Sequence, residues 1–569
     1  MHSYDQYASA YGNYHPCRQT YLKMSGVRPR RGIAIAMALG LAAGLGMSDA
    51  QAASKPIVDT ATGKVEGFLK SNVAEFLGIP YAAPPVNDLR WAPPQPHAAW
   101  KNVLNATTYG NTCAQVTTLG VFAGPANSNE DCLFANVFTP NLQSTANLPV
   151  IVWIHGGGNL DGESNDYDGS KMALQGNTVV VTFNYRLNLM GFLAVNSLDT
   201  EGHNFANYGL LDQQMVLNWV KQNIANFGGN PNNVTLGGQS AGAEDTGFAM
   251  LSPLAAGSFQ HGICESFCPT GNLPTLSAAE AVGQEFADAA GCGGKTGAAQ
   301  ASCLRRVPAA EVEALAGTAS AASAYVLGPI LDGTVLPVQP PAAWANGQFT
   351  HMPLMNGNVQ DEENFTLAID EYFENPQAPI TGSQYTSTIV NTYSTSAYPA
   401  GTAEKILKLY PLANYPSAQL AWDRAGTDPG ICAEMALNKV LAPQIPVYAY
   451  LFNDQKPPFY FPSMPGFTPL AYHTSDIQFL FPLYHGGQGT PHPLTGAQAA
   501  LSNELVAAWT KFAWTGNPNG VGNSPWPVFK ASPKASDVLL ENVPALSTET
   551  QAQFNSSHNC AFWASLTSN

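Results

Sequence analysis

The sequence predicts an α/β fold with a mostly parallel central sheet flanked by helices, and three observations carry that prediction. Pro149–Ile154 (PVIVWI) and Thr178–Asn184 (TVVVTFN) are short, continuous apolar runs, the pattern of strands buried on both faces. Asp212–Phe227 carries apolar residues at 215, 216, 219, 220, 224 and 227, which is helical spacing. The turn-rich stretch GGNPNNVTL then returns the chain to a strand at Val234–Leu236. Strand, helix, strand in alternation is the α/β pattern. Further strands are expected at Met352–Asn356 and Val447–Phe452. The Ala-rich segment 275–325 is expected to be helical. Glycines and prolines are plentiful but scattered as turn punctuation, with no repeat, charge block or long linker. One domain is therefore expected over residues 54–569.

Composition narrows the function classes. Hydrophobic residues make up 45% of the 569-residue chain and charged residues only 11%, which means a large core. The net charge of −16 argues against a nucleic-acid partner. Residues 1–53 read as a signal peptide region. Arg28, Arg30 and Arg31 precede the apolar run Ile33–Met47, and Ala50-Gln51-Ala52 is an A-x-A cleavage signature. Met24 is a possible start, and cleavage is expected after Ala52 or Ala53. The apolar run is short for a membrane span, so the expected location is secreted or periplasmic. Cys17 falls in that leader. The remaining cysteines are even in number, which in an exported chain suggests disulfides. No Cys/His spacing resembles a metal site. Cys264 and Cys268 have the spacing of a helical pair, and the expectation is a pair of buried free thiols.

Residues 237–245 read GGQSAGAED, and Gly238-Gln239-Ser240-Ala241-Gly242 fits G-x-S-x-G. A serine on a tight strand-to-helix turn takes strained backbone angles and projects its hydroxyl above the sheet beside a helix N-terminus. The five-residue pattern alone is weak. Here it follows an expected strand, and His155-Gly156-Gly157-Gly158 follows another. Acyl transfer develops an oxyanion, and backbone N–H groups must already point at it. Glycines let the backbone come that close. Both motifs in one chain indicate a serine hydrolase. The acid and the histidine stay open at this point. His351, His473, His485, His492 and His558 all lie downstream, as do many carboxylates.

Several longer stretches then resemble one family, the type-B carboxylesterases, which include carboxylesterases, some fungal lipases and cholinesterases. FLGIPYAAPPVNDLRWAPPQP (76–96) is similar to the family's N-terminal signature, and EDCLFANVFTP (130–140) to its E-D-C-L segment. NYGLLDQQMVLNWVKQNIANFGGNPNNVTLGGQSAGA (207–243) resembles the family's most characteristic stretch. The resemblance implies an α/β-hydrolase fold and a serine carboxylesterase acting on small-molecule esters without a cofactor. It maps the nucleophile onto Ser240 and the oxyanion-hole donors onto Gly157, Gly158 and Ala241. GNVQDEENF (357–365) resembles the segment of the catalytic acid, which maps onto Glu362. Glu363 stands where the family has glycine and is the neighbouring candidate. AYHTSDIQFLF (471–481) resembles the histidine segment, which maps onto His473, with Asp476 expected to hold that loop. The resemblance also implies disulfides Cys113–Cys132, Cys292–Cys303 and Cys432–Cys560. The implied chemistry is two-step acyl transfer with His473 as base, and activity that falls as pH drops through roughly 6 to 7, the range of an ordinary histidine.

The chain departs from the family in places. Gln239 precedes the nucleophile where glutamate is usual. Glu244 and Asp245 follow it, either facing the catalytic centre, where one would restore the missing charge, or serving as solvent-facing partners of the helix dipole. The segment between Cys113 and Cys132 has no tryptophan to hold a quaternary ammonium, which argues against choline esters. Residues 159–169, acidic and polar, are expected at the rim of the substrate gorge. The alternatives to a carboxylesterase are a lipase or polyester-type hydrolase, or a non-catalytic cholinesterase-like binding protein.

Overall fold

The computed structural model describes residues 55–203, 205–317, 328–520 and 524–566. The expected signal peptide lies outside the described residues. Two sheets are present among the described residues. The small one joins β1 (Ile57–Thr60), β2 (Gly63–Glu66) and β5 (Leu104–Asn105). The large one has eleven strands. Its N-terminal members are β3 (Phe68–Lys70), β4 (Val73–Pro80), β6 (Phe134–Thr139), β7 (Leu148–Ile154) and β8 (Val179–Phe183). The rest are β9 (Gly229–Gln239), β10 (His261–Glu265), β11 (Leu354–Val359), β12 (Val447–Phe452), β13 (Ser536–Glu541) and β14 (Ser547–Thr550). Their order is β14-β13-β12-β11-β10-β9-β7-β8-β6-β4-β3. Every pairing from β8 to β13 is parallel, and both flanks are antiparallel. This is the α/β-hydrolase architecture expected from the sequence, a mostly parallel sheet covered by helices.

Period-two geometry explains why the apolar runs are continuous. Alternate residues of β7 enter different cores. Val150, Val152 and Ile154 join Val216, Val220 and Phe248 from the helices Tyr208–Asn223 and Ala241–Leu251 on one face. Ile151 and Trp153 join Val506, Trp509 and Phe512 from the helix Gly496–Thr515 on the other. Neither face can be polar, so the strand reads as one apolar block.

Other expectations shift at their edges. The helix expected at Asp212–Phe227 begins at Tyr208 and finishes as a 3₁₀ turn, Ile224–Phe227. The strand expected at Val234–Leu236 extends over Gly229–Gln239. The Ala-rich segment forms helices Leu276–Ala289, Gly297–Leu304 and Ala309–Gly317, which pack into a separate small core. Disulfides join Cys113 to Cys132, Cys292 to Cys303 and Cys432 to Cys560. The last ties the helix Ala418–Leu441 to the C-terminal helix Cys560–Leu566 across 128 residues, a long loop to close and hence a few kcal/mol in the chain-entropy account. Cys264 and Cys268 are buried and unbridged, but they are no helical pair: Cys264 lies in β10 and Cys268 just beyond it.

Candidate active site

Because β7, β9, β10 and β11 run parallel, their carboxyl ends share one edge of the sheet, the edge where ligands bind in open α/β folds. The chain leaves β7 into His155–Gly158, β9 into Ser240, β10 into Ser266 and Phe267, and β11 into Glu362.

Ser240 occupies the turn between β9 and the helix Ala241–Leu251, at φ 58 and ψ −126. A non-glycine residue there is strained by roughly 1–3 kcal/mol. Three hydrogen bonds hold it: the Ser240 N–H donates to Glu265 O at 2.8 Å, and Ser240 O accepts from the N–H groups of Ala243 and Glu244. The elbow presses against the end of β7, and a Cβ on Gly242 would lie 2.1 Å from Ile154 O, so only glycine fits. Ala241 opens the helix, where its N–H has no partner within the helix. On the facing loop Gly157 and Gly158 take φ 114 and 62. His155, ahead of them, is packing. Its ring stacks on Tyr185, and burial pushes it down to about 4.

The acid and the histidine meet through the backbone. Asp361 and Tyr472, each one residue before a candidate, form an isolated parallel bridge. The Asp361 N–H donates to Ala471 O, and the Ala471 N–H donates to the Asp361 carboxylate. The next residues are thereby delivered side by side, with His473 Nδ1 2.5 Å from Glu362 Oε2. The other oxygen, Glu362 Oε1, accepts from the Val359 N–H and Asn358 Nδ2, both at 3.0 Å. Glu363 goes elsewhere. It packs on Gly426 and its backbone N–H donates to Thr427 Oγ1. Burial, with Asp370 adding to it, holds its carboxyl well above the usual range. Asp476 is buried behind the histidine, pushed up to about 7 first by burial and then by the charge of Glu362.

Sequence reasoning singled out Gln239 but missed the aromatic surroundings of His473. Gln239 is fully buried, and its Nε2 lies 3.1 Å from His473 Nε2 and 3.3 Å from Nδ1. The rings of Phe267 and Phe365 lie 5.3 and 5.6 Å from the imidazole, and Phe122 packs on Phe365. For the rings the only signal in the sequence was position, since Phe365 lies three residues after Glu362. Within the segment 159–169, expected at the rim of the gorge, Asn159, Asp161 and Ser164 are buried and Leu160, Glu163, Asn165, Asp166 and Asp168 half-buried. Asp161 accepts from the backbone and hydroxyl of Thr118, tying the Cys113–Cys132 segment to the glycine loop, and burial pushes it up to about 7. A solvent-facing role for Asp245 is corrected. Its carboxylate accepts from Asn159 at 3.2 Å and Gln213 at 2.6 Å. Burial, with the charges of Asp245 and Glu434 adding to it, pushes Glu244 up to about 8. Among the described residues no cluster of His, Cys, Asp and Glu is arranged to hold a metal.

Comparison with known proteins agrees over nearly the whole described chain. The Carboxylesterase family model matches residues 54–563. The para-nitrobenzyl esterase of Bacillus subtilis is 34% identical over 506 residues, covering 86% of this chain and 96% of that one. Carboxylesterase 1C of Rattus norvegicus is 32% identical over 553 residues, covering 90% and 94%. Among solved structures, a thermophilic PNB esterase superposes with a TM-score of 0.70 at 30% identity, covering 90% of this chain and 100% of that one.

Proposed function

The chain belongs to the carboxylesterase family and is a carboxylic ester hydrolase, and from that premise we propose that it works through a Ser240–His473–Glu362 triad and a covalent acyl-enzyme. The observation that carries the reading is the 2.5 Å contact between Glu362 and His473 beside a strained serine elbow. Neutral His473, oriented by Glu362, takes the proton of Ser240 as its oxygen attacks the ester carbonyl. The N–H groups of Gly157, Gly158 and Ala241 stabilise the tetrahedral oxyanion, each worth a few kcal/mol of barrier. His473 then protonates the departing alcohol, and water repeats the sequence on the acyl-enzyme. The aromatic rings around the imidazole suit an apolar ester and exclude bulk water.

The three disulfides, and the lack among described residues of a helix long and apolar enough to cross a membrane, are compatible with a secreted or periplasmic protein. Export through the N-terminal signal is part of the proposal.

The test is hydrolysis of p-nitrophenyl esters from acetate to palmitate by wild type and Ser240→Ala. Short-chain esters are expected to turn over best, with activity falling at least about 10³-fold in the variant. A maximum at long chains would make the enzyme a lipase. Turnover that survives the substitution would remove Ser240 from the mechanism.

A further inference from the structure

Cys264 and Cys268 bracket a turn that touches three parts of the site. The structure leaves them as unbridged thiols, with the sulfur atoms 2.7 Å apart. Carbon atoms in packing contact settle at roughly 3.5–4.0 Å and sulfur is no smaller, so this separation is too close for two thiols that merely pack. The residues between them are Glu265, Ser266 and Phe267. Glu265 O receives the N–H of Ser240. Ser266 and Phe267 both take positive φ, 60 and 73. Consecutive non-glycine residues in that region cost on the order of 1–3 kcal/mol each and persist only where the surroundings over-determine them. The Ser266 N–H donates to Gly357 O in β11, and the Phe267 ring rests against His473. Cys264 Sγ also lies 3.4 Å from Ala243 O on the elbow helix.

We propose that Cys264 and Cys268 form a fourth disulfide, a clamp that fixes this strained turn behind the nucleophile and against the catalytic histidine. The bond forms by thiol–disulfide exchange with a disulfide oxidant. One cysteine thiolate attacks the oxidant's S–S bond, giving a mixed disulfide and releasing one oxidant sulfur as thiolate. The second cysteine thiolate then displaces the other oxidant sulfur. The protein loses two electrons and two protons, and the oxidant's disulfide becomes two thiols. Both sulfurs are buried, so the exchange precedes closure of the core, in the same oxidising conditions that the other three bridges require. The bridge closes a ring of very few residues and constrains the unfolded chain less than a long loop would. Its effect is local, on the backbone that positions Glu265 O and Phe267.

The crosslink is tested without any variant, by alkylating denatured, unreduced wild type and mapping its peptides. The expected result is a peptide with Cys264 and Cys268 unalkylated and two hydrogens lighter than the dithiol. Alkylation of both cysteines would overturn the proposal. The effect on turnover rests on the Ser240 reading. For Cys264→Ser/Cys268→Ser, a roughly tenfold fall in kcat at little-changed KM is expected on p-nitrophenyl acetate, the scale of a slight misplacement of catalytic groups. Wild-type kcat in the folded double variant would overturn the clamp. An inactive wild type would instead sink the Ser240 reading and leave the mapped bond as it is.

Discussion

Glu362 and Glu363 are adjacent and chemically alike, yet one oxygen of Glu362 sits 2.5 Å from His473 while Glu363 packs on Gly426. The sequence left both as candidates, because which of two neighbouring carboxylates faces a histidine over a hundred residues later depends on the Asp361–Tyr472 bridge. Glu362→Gln is expected to lower kcat by about 10³–10⁴-fold, the usual cost of disabling the acid of a triad. Glu363→Gln swaps a carboxyl that burial holds well above the usual range, away from His473, for its neutral isostere, so kcat should stay within about threefold of wild type. Equal losses in steady-state assays of the two variants would reject the assignment. Gln239 makes a second residue-scale test. Its amide nitrogen lies 3.1 Å from His473 Nε2, so Gln239→Glu places a negative charge where an imidazolium forms. The acidic limb of the kcat/KM profile should move to higher pH. An unmoved limb would mean that the charge at this position does not reach the histidine.

The site is assembled by element ends. The two glycine motifs were legible because each is contiguous and each follows a strand, so local pattern and chemistry point the same way. β12 was legible at both limits, Val447–Phe452, since an apolar run buried on both faces needs no partner to be recognised. β9 was under-read because Asn230, Pro231, Asn232 and Asn233 look like turn residues, although the strand runs through them to Gly229, which pairs with Leu148 of β7. Phe267 was not legible at all. Nothing local in ESFC indicates a positive φ, which the packing of β10 and β11 imposes. The helix Tyr208–Asn223 is pinned to the turn after β8 by a buried ion pair. Arg186 donates from Nε and Nη2 to the two oxygens of Asp212, each at 2.7 Å, and its backbone N–H donates to the same carboxylate. Asp212→Ala leaves the guanidinium buried and unpaired, and should cost about 3–5 kcal/mol in denaturant unfolding. A loss below about 1 kcal/mol would show that the pair is dispensable for that helix.

At the scale of the whole molecule, the sequence showed a low charge content and a strongly negative balance, but not where the acids go. Many are inside. Burial pushes Asp161, Asp166, Asp245 and Asp476 up to about 7, and Asp199, Glu244, Glu313 and Glu434 up to about 8. An acidic residue in a sequence reads as surface, and only tertiary packing reverses that. The stability consequence has a definite sign. These groups are raised above their unfolded values, so the folded chain holds protons that the unfolded chain has already lost. Their contribution is full below the ordinary carboxylate range and disappears as pH rises through the folded values. His155 and His261, pushed down to about 4 chiefly by burial, stay neutral in the folded state above that range. The melting temperature should therefore fall as pH rises from about 7 to about 8, while the acids near 8 still hold protons in the folded chain alone, and level off above that. Calorimetry showing no fall over that interval would mean the acids are already ionised when folded.

The most direct test of the central claim is to trap the covalent step. Wild type is mixed with an activated aryl phosphate triester, which phosphorylates a serine nucleophile and leaves it blocked, and the intact mass and peptides are measured. A single adduct on Ser240, with activity lost in proportion and no adduct on Ser240→Ala, is the predicted result. Full activity without modification, or an adduct on another residue that tracks the inactivation, would contradict a mechanism built on Ser240.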